Sequence, residues 1–294
     1  MKILKHIVVL ALTTLSVAVA APAARAQVIS IGHPNLSFYE VTAAVIQLML
    51  ERAGTTTTKT AVGGHATIFP KVANGDVDLF VAAWLPDAHG DYWKEYGADL
   101  VKLGTLYDDA RLYWAVPAYV PVSDVKTVAD LKKPAVAARM FKTIRGTLPD
   151  SGLMIGSKKI FDAYGLGDAG YELAPGPAKE WLANFNERIA KQDWFVMPLW
   201  QPQYLNKAAK LRVLDEPQRL LGGANTAYLI ANKTFAASMP PKQREMLGRI
   251  ELSVKTVTEL DYQVNIGGMT PRAAARRWIS EHADTVGYWI NGEN

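Results

Sequence analysis

The 294-residue chain contains no cysteine. Disulfides, thiolate metal ligands, a cysteine nucleophile and lipid attachment at a lipobox cysteine are all excluded, so packing alone must hold the fold. Long apolar runs are almost as scarce. The one present lies at the start, where Lys2 and Lys5 precede the uncharged, small-residue-rich run Ile7 to Ala20 and Ala24-Arg25-Ala26 follows with small-x-small spacing. That order describes a cleavable secretory signal over residues 1–26, with a mature start near Gln27. The run is short for a bilayer span, and no later stretch is long enough to cross one. A freely soluble exported protein is expected, located in the periplasm of a two-membrane bacterium, with no membrane insertion.

Charge of one sign is also missing. The chain carries 32 basic and 28 acidic residues; without Lys2, Lys5 and Arg25 of the signal the balance is 29 to 28, a net charge of +1. Such a surface makes no electrostatic case for nucleic acid or an anionic membrane. Arg272, Arg276 and Arg277 cluster on one late segment and read as a solvated helix face. Catalytic motifs are absent too. There is no His-Glu-x-x-His and no Gly-x-Ser-x-Gly, and the five histidines show no metal spacing. Asp87 and His89 on one loop are the weak hint of the competing class, an exported hydrolase. His33 reads as a loop residue and His282 as a surface helix residue.

Apolar content is ample. Hydrophobic residues make up 49% and charged residues 20%, the balance of a globular body long enough for two domains. The organising stretch is Gly75 to His89. Leu79 to Ala83 reads as a buried parallel strand that ends on Trp84, with Pro86 stopping it. Ligands of open α/β sheets sit beyond the carboxyl ends of strands, which makes Trp84 a candidate cavity wall.

Further strands are expected at Val28–Gly32, Thr55–Val62, Leu100–Leu106, Arg111–Pro117, Ala135–Phe141, Tyr171–Ala174, Trp194–Trp200, Leu211–Leu214 and Thr226–Ala231. Ser37 and Glu40 have capping-box spacing, with Leu36 and Val41 placed as a staple, for a helix that ends at Gly54. Gly63-Gly64 turns the chain so that His65 starts a short helix closed by Gly75. Tyr92, Trp93 and Tyr96 have helical spacing and read as packing. Thr127 caps a short helix over Val128–Leu131. Ser151 caps a helix over Met154–Tyr164 after the loop Gly146–Gly152. Helices are also expected over Ala178–Ala190, Pro240–Leu260 and from Thr270-Pro271 through Trp278. Trp200 ends its strand just before Pro202, as Trp84 does before Pro86, although the flanking sequences do not repeat. Pro117, Pro121 and Ser123 mark one domain crossing near Ala118–Ser123, and Glu216-Pro217 with Gly222-Gly223 marks the return. The reading is an α/β molecule of two βα lobes joined twice: lobe 1 from 27–118 plus 225–294, lobe 2 from 119–224. Trp84 and Trp200 would face each other across a closing cleft.

"DVDLFVAAWLPDAHGDYWKEYG", "LPDSGLM", "DWFVMPLWQPQYL" and "GMTPRAAARRWI", in this order over nearly all of the mature chain, resemble the substrate-binding proteins of glycine betaine/proline betaine ABC importers. The resemblance implies a bilobed periplasmic-binding-protein fold of type II-like architecture with a double-crossover hinge. It implies no catalysis and no cofactor. The partners it implies are a small osmolyte and the permease subunits of an ABC transporter, served by a monomer. Family members hold a quaternary ammonium in a cage of tryptophans, and Trp84 in Ala-Trp-Leu-Pro and Trp200 in Leu-Trp-Gln-Pro match two of these. The third family tryptophan often lies in the loop that here reads Leu148 to Leu153, which has no aromatic residue. Tyr39, Tyr228 or Tyr204 are candidates to complete the cage. The family binds the ligand carboxylate through backbone amides, here near Ser37–Tyr39, Gly64–Ala66 and Ser151–Gly152, with His65 or His89 as added side-chain donors. Choline, carnitine, histidine and ectoine remain alternative ligands, and a chemoreceptor-docking module shares the fold.

Overall fold

The computed structural model describes residues 28–55 and 57–292, so the expected signal lies outside the described residues. Strand β1 (Val28–His33) leads into helix α1 (Ser37–Arg52), β2 (Thr57–Val62) into α2 (His65–Ala73), and β3 (Leu79–Leu85) into α3 (Gly90–Tyr96). All seven residues of β3 are buried, as an uninterrupted apolar run requires. Gly75, at φ +81°, supplies the left-handed turn between α2 and β3. Strands β2 and β3 flank β1 in parallel, so the carboxyl ends of these strands and the amino ends of α1 and α2 meet at one edge. This is the edge at which ligands of α/β sheets are held.

Strand β4 (Leu100–Pro117) runs eighteen residues, where two separate strands were expected. Asp109, with a positive φ, and the register shift between Tyr107 and Ala110 mark the stretch that the sequence suggested as a break; two further shifts lie before Tyr107. After it come α4 (Pro134–Ala137), β5 (Thr143–Arg145), α5 (Gly152–Ala163), β6 (Glu172–Ala174), α6 (Ala178–Ala190), β7 (Met197–Gln201), α7 (Leu205–Ala208) and β8 (Leu211–Val213). The chain ends with β9 (Asn225–Asn232), α8 (Lys233–Ser238), α9 (Pro241–Arg249), α10 (Val254–Asn265), α11 (Pro271–Glu281) and α12 (Ala283–Asn291). The large sheet is mixed, in the order β2-β1-β3-β9-β4-β7, with β8 also on β4; β5 and β6 form a second, parallel pair. From Leu100 to Ala110, β4 pairs with β9; from Arg111 to Pro117 it pairs with β7 and β8. One strand therefore belongs to both lobes of an α/β molecule.

Several local expectations are corrected. Ala135–Phe141 is not a strand: Pro134 opens α4, since proline at the first helical position loses no hydrogen bond, and Met140 makes a single bridge to Trp194. The long helix over Pro240–Leu260 is two helices. The chain breaks at Ile250–Ser253, where the Leu252 amide donates to the Leu106 carbonyl and Ser253 caps α10. The capping box at Ser37 does not form. Leu36 is the cap residue, and the Ser37 hydroxyl instead accepts from Asn265 Nδ2. His33 ends β1 and is buried, not in a loop, with Nδ1 held by the Pro34 carbonyl. The caps at Ser151 and Thr270 form as expected, each accepting an amide of the first turn. Among the described residues no helix is long and apolar enough to cross a membrane.

Candidate ligand-binding site

A cavity lies where β4 passes between the lobes. Lobe 1 contributes Phe38, Tyr39, His65, Trp84 and His89; lobe 2 contributes Thr147, Ser151, Gly152, Leu153 and Trp200. Seven residues singled out from sequence therefore line one space: Trp84, Trp200, His65, His89, Tyr39, Ser151 and Gly152. Tyr228 does not line it; its ring lies beneath Lys102 Nζ at 3.9 Å. Tyr204 is buried beside α10, its amide donating to Asp261 Oδ2 at 2.7 Å.

Each wall is fixed by its neighbours. Trp84 caps the end of β3, where its indole N–H donates to the Tyr107 hydroxyl at 3.0 Å. The turn after it folds back: the Trp84 amide donates to His89 Nδ1 at 2.8 Å, and the His89 amide returns to the Trp84 carbonyl at 2.9 Å. That bond makes Nδ1 of His89 the acceptor and leaves its proton on Nε2. Trp200 lies on β7 opposite Leu112 of β4, with Trp181 packed behind it at 5.1 Å between centroids. Both tryptophans are almost fully enclosed, at 2% and 5% exposure.

Lobe 1 brings a further ring beside the two tryptophans. Phe38, in the first turn of α1, stands 5.6 Å from Trp84 and 5.8 Å from Trp200. Sequence reading passed over it for its neighbour Tyr39, although both sit in the helix turn that follows the first strand. Thr147 was missed as well. It belongs to the Gly146–Gly152 loop, whose glycines and proline marked a turn without saying which side chain faced inward.

The space is uncharged. Among the described residues no Lys, Arg, Asp or Glu lines it. Burial holds His65 down at about 4, only partly opposed by the Asp150 carboxylate, and burial then His65 itself, 4.7 Å away between ring centroids, hold His89 well below the usual histidine range. Burial raises Tyr39 well above the usual phenol range, so its hydroxyl stays protonated and reaches His65 Nε2 at 3.5 Å. Nδ1 of His65 and Nε1 of Trp200 are buried without a partner among the described residues. Unpaired buried polar atoms are costly, and a polar group of a ligand would satisfy them. The first amides of α5, at Gly152 and Leu153, are also left free by helix geometry.

The neutral His65 has a consequence for stability. The unfolded chain takes up a proton near pH 6.5 that the folded residue refuses until about 4. Its contribution is complete above pH 6.5 and is lost as pH falls toward 4. His65→Gln should flatten the fall in melting temperature over that range. A fall as steep as in the parent would place the titration elsewhere.

Comparison with known proteins agrees with this architecture. Residues 27–281 match the family model described as the substrate binding domain of the ABC-type glycine betaine transport system. The glycine betaine/carnitine transport binding protein GbuC of Listeria monocytogenes is 23% identical over 150 residues, 51% of this chain and 49% of that protein; the match thus spans about half the length of the curated relative. Lactococcal OpuAC, in its closed form complexed with glycine betaine, is 26% identical with a TM-score of 0.80, over 90% of this chain and 100% of that one. The glycine betaine and L-proline binding protein ProX of Borrelia burgdorferi has the same fold at 20% identity and a TM-score of 0.81, over 90% and 97%. An ABC-transporter choline binding protein in complex with choline has it at 20% identity and 0.78, over 90% and 92%. These relatives are solute-binding proteins, not enzymes. With nearly the whole described chain inside the family model and both lobes superposable on a solved member, the chain belongs to the family of substrate-binding domains of ABC-type glycine betaine transport systems.

Proposed function

We propose that this chain is a soluble periplasmic receptor of an ABC importer that captures a small quaternary ammonium solute of the glycine betaine and choline type between its lobes. The observation that carries this reading is the set of three rings, Phe38, Trp84 and Trp200, around an uncharged cavity. A quaternary ammonium has no N–H to donate and a diffuse charge, so ring faces recognise it better than hydrogen bonds or ion pairs do. Each face contributes about 0.5–2 kcal/mol when desolvated, while micromolar affinity needs about 8 kcal/mol. The rest falls to apolar burial and to a polar group of the ligand held by His65, Trp200 Nε1 and the α5 amides.

The chain is read as a monomer that exports through its signal over residues 1–26, performs no catalysis and presents its ligand-closed form to the permease. Lobe 1 is read as 27–110 with 225–294 and lobe 2 as 111–224, the outward crossing lying upstream of the Ala118–Ser123 stretch expected from the sequence. The exchange of β4 partners between Ala110 and Arg111 supports placing the outward hinge inside that strand.

Titration calorimetry and thermal shift with glycine betaine, choline, carnitine, ectoine, proline, histidine and taurine test the reading. Saturable one-to-one binding of a quaternary ammonium, with the ligand recovered unchanged, is expected. Preference for histidine would mean that donors, not ring faces, dominate. Recovery of an altered ligand would mean an enzyme.

A further inference from the structure

Helix α2 starts after Gly64, a cap residue with no side chain to satisfy the first amides. The missing acceptor comes from the other lobe. Asp150 Oδ2 accepts from the Ala66 amide at 2.9 Å, eighty-four residues away in sequence. The fit is close, since a Cβ built on Gly64 would meet that oxygen at 2.5 Å. The backbone of Asp150 is engaged as well: the Tyr92 hydroxyl of α3 donates to its carbonyl at 2.8 Å. Asp150 directly precedes Ser151 and Gly152, which line the cavity, and the helix it caps begins with His65, whose buried Nδ1 is unpartnered. One loop of lobe 2 thus carries both a wall of the cavity and a clamp on lobe 1.

A carboxylate on a helix amino end gains from a charge-assisted bond and from the helix dipole. This cap exists only when the lobes are together, so it favours the closed form and adds nothing to an open one. We propose that Asp150 is the latch of the closed form, a positioning residue that holds α2, and with it His65, against the captured ligand. The proposal rests on the cleft being the ligand site. It also accounts for Gly64: a side chain there would collide with the latch.

Stopped-flow release, followed by tryptophan fluorescence with glycine betaine and with choline, tests the latch. Asp150→Ala should speed release at least tenfold with little change in the association rate. Asp150→Asn should fall between, because its amide oxygen still accepts from Ala66 but carries no charge. The melting temperature of the ligand-free protein should not move, whereas that of the liganded protein should drop. Equal drops with and without ligand would mean a structural cap only and would overturn the proposal. A parent protein that binds one solute and an Asp150→Ala variant that releases it no faster would remove the latch alone. A parent that binds neither solute would remove the reading of the cleft and the latch with it.

Discussion

Trp84→Ala and Trp200→Ala are each expected to weaken quaternary ammonium binding at least tenfold, and the double substitution at least a hundredfold, in titration calorimetry. A tenfold loss is about 1.4 kcal/mol, within the contribution of one desolvated ring face, and the apolar wall lost with the ring adds to it. The two rings come from different lobes, β3 and β7, and each has Phe38 as a close neighbour. Residues sharing a neighbour couple, so the double variant need not equal the sum of the singles. The effects on stability differ. Trp84→Ala leaves the buried Tyr107 hydroxyl without its indole partner, whereas Trp200 Nε1 has no partner among the described residues to abandon. Truncating a buried aromatic costs about 3–5 kcal/mol, so both variants should melt lower, Trp84→Ala the more so, while keeping a cooperative transition. Parental affinity in both folded single variants would remove the cage.

The second large effect is expected at a residue with no side chain. Gly152→Ala places a Cβ 2.1 Å from the Ala88 carbonyl oxygen and 2.8 Å from its carbon. Both are backbone atoms on the turn that also carries His89, and that turn is tied down: the Asp87 and Ala88 amides both donate to Asn225 Oδ1, at 2.8 and 3.1 Å. Neither side can yield by a rotamer change. The lobes must separate by about 1 Å at this point to restore van der Waals contact. Closure is then incomplete, and affinity should fall tenfold or more. Gly152 takes an ordinary helical position, so the helix itself tolerates alanine and the ligand-free melting temperature should rise or hold. Normal affinity in Gly152→Ala would show that binding does not require the lobes to approach as closely as they do here.

Much of this cleft was legible because its parts are ends of elements. Trp84 and Trp200 close apolar runs just before a proline, and such runs carry their own stop signals. His65 follows a glycine pair, and Ser151 caps a helix by a local bond that its sequence neighbours determine. Where the reading failed, long-range pairing had overridden local pattern. The eighteen residues of β4 were read as two strands parted at Tyr107–Ala110, where Asp108 and Asp109 fall, yet pairing with β9, β7 and β8 carries the strand through. Ser37 lost its expected cap role because Asn265, more than two hundred residues later, engages its hydroxyl.

The strand-ending tryptophans, the helix starts that follow the strands and the absence of thiol chemistry are all properties of contiguous residues, and short-range sterics and hydrogen bonding suffice to establish them. The identity of the third ring, the neutrality of the two histidines and the clamp made by Asp150 are of another kind. Each depends on which surfaces the two lobes press together, and burial and proximity between distant segments exist only once the chain has folded.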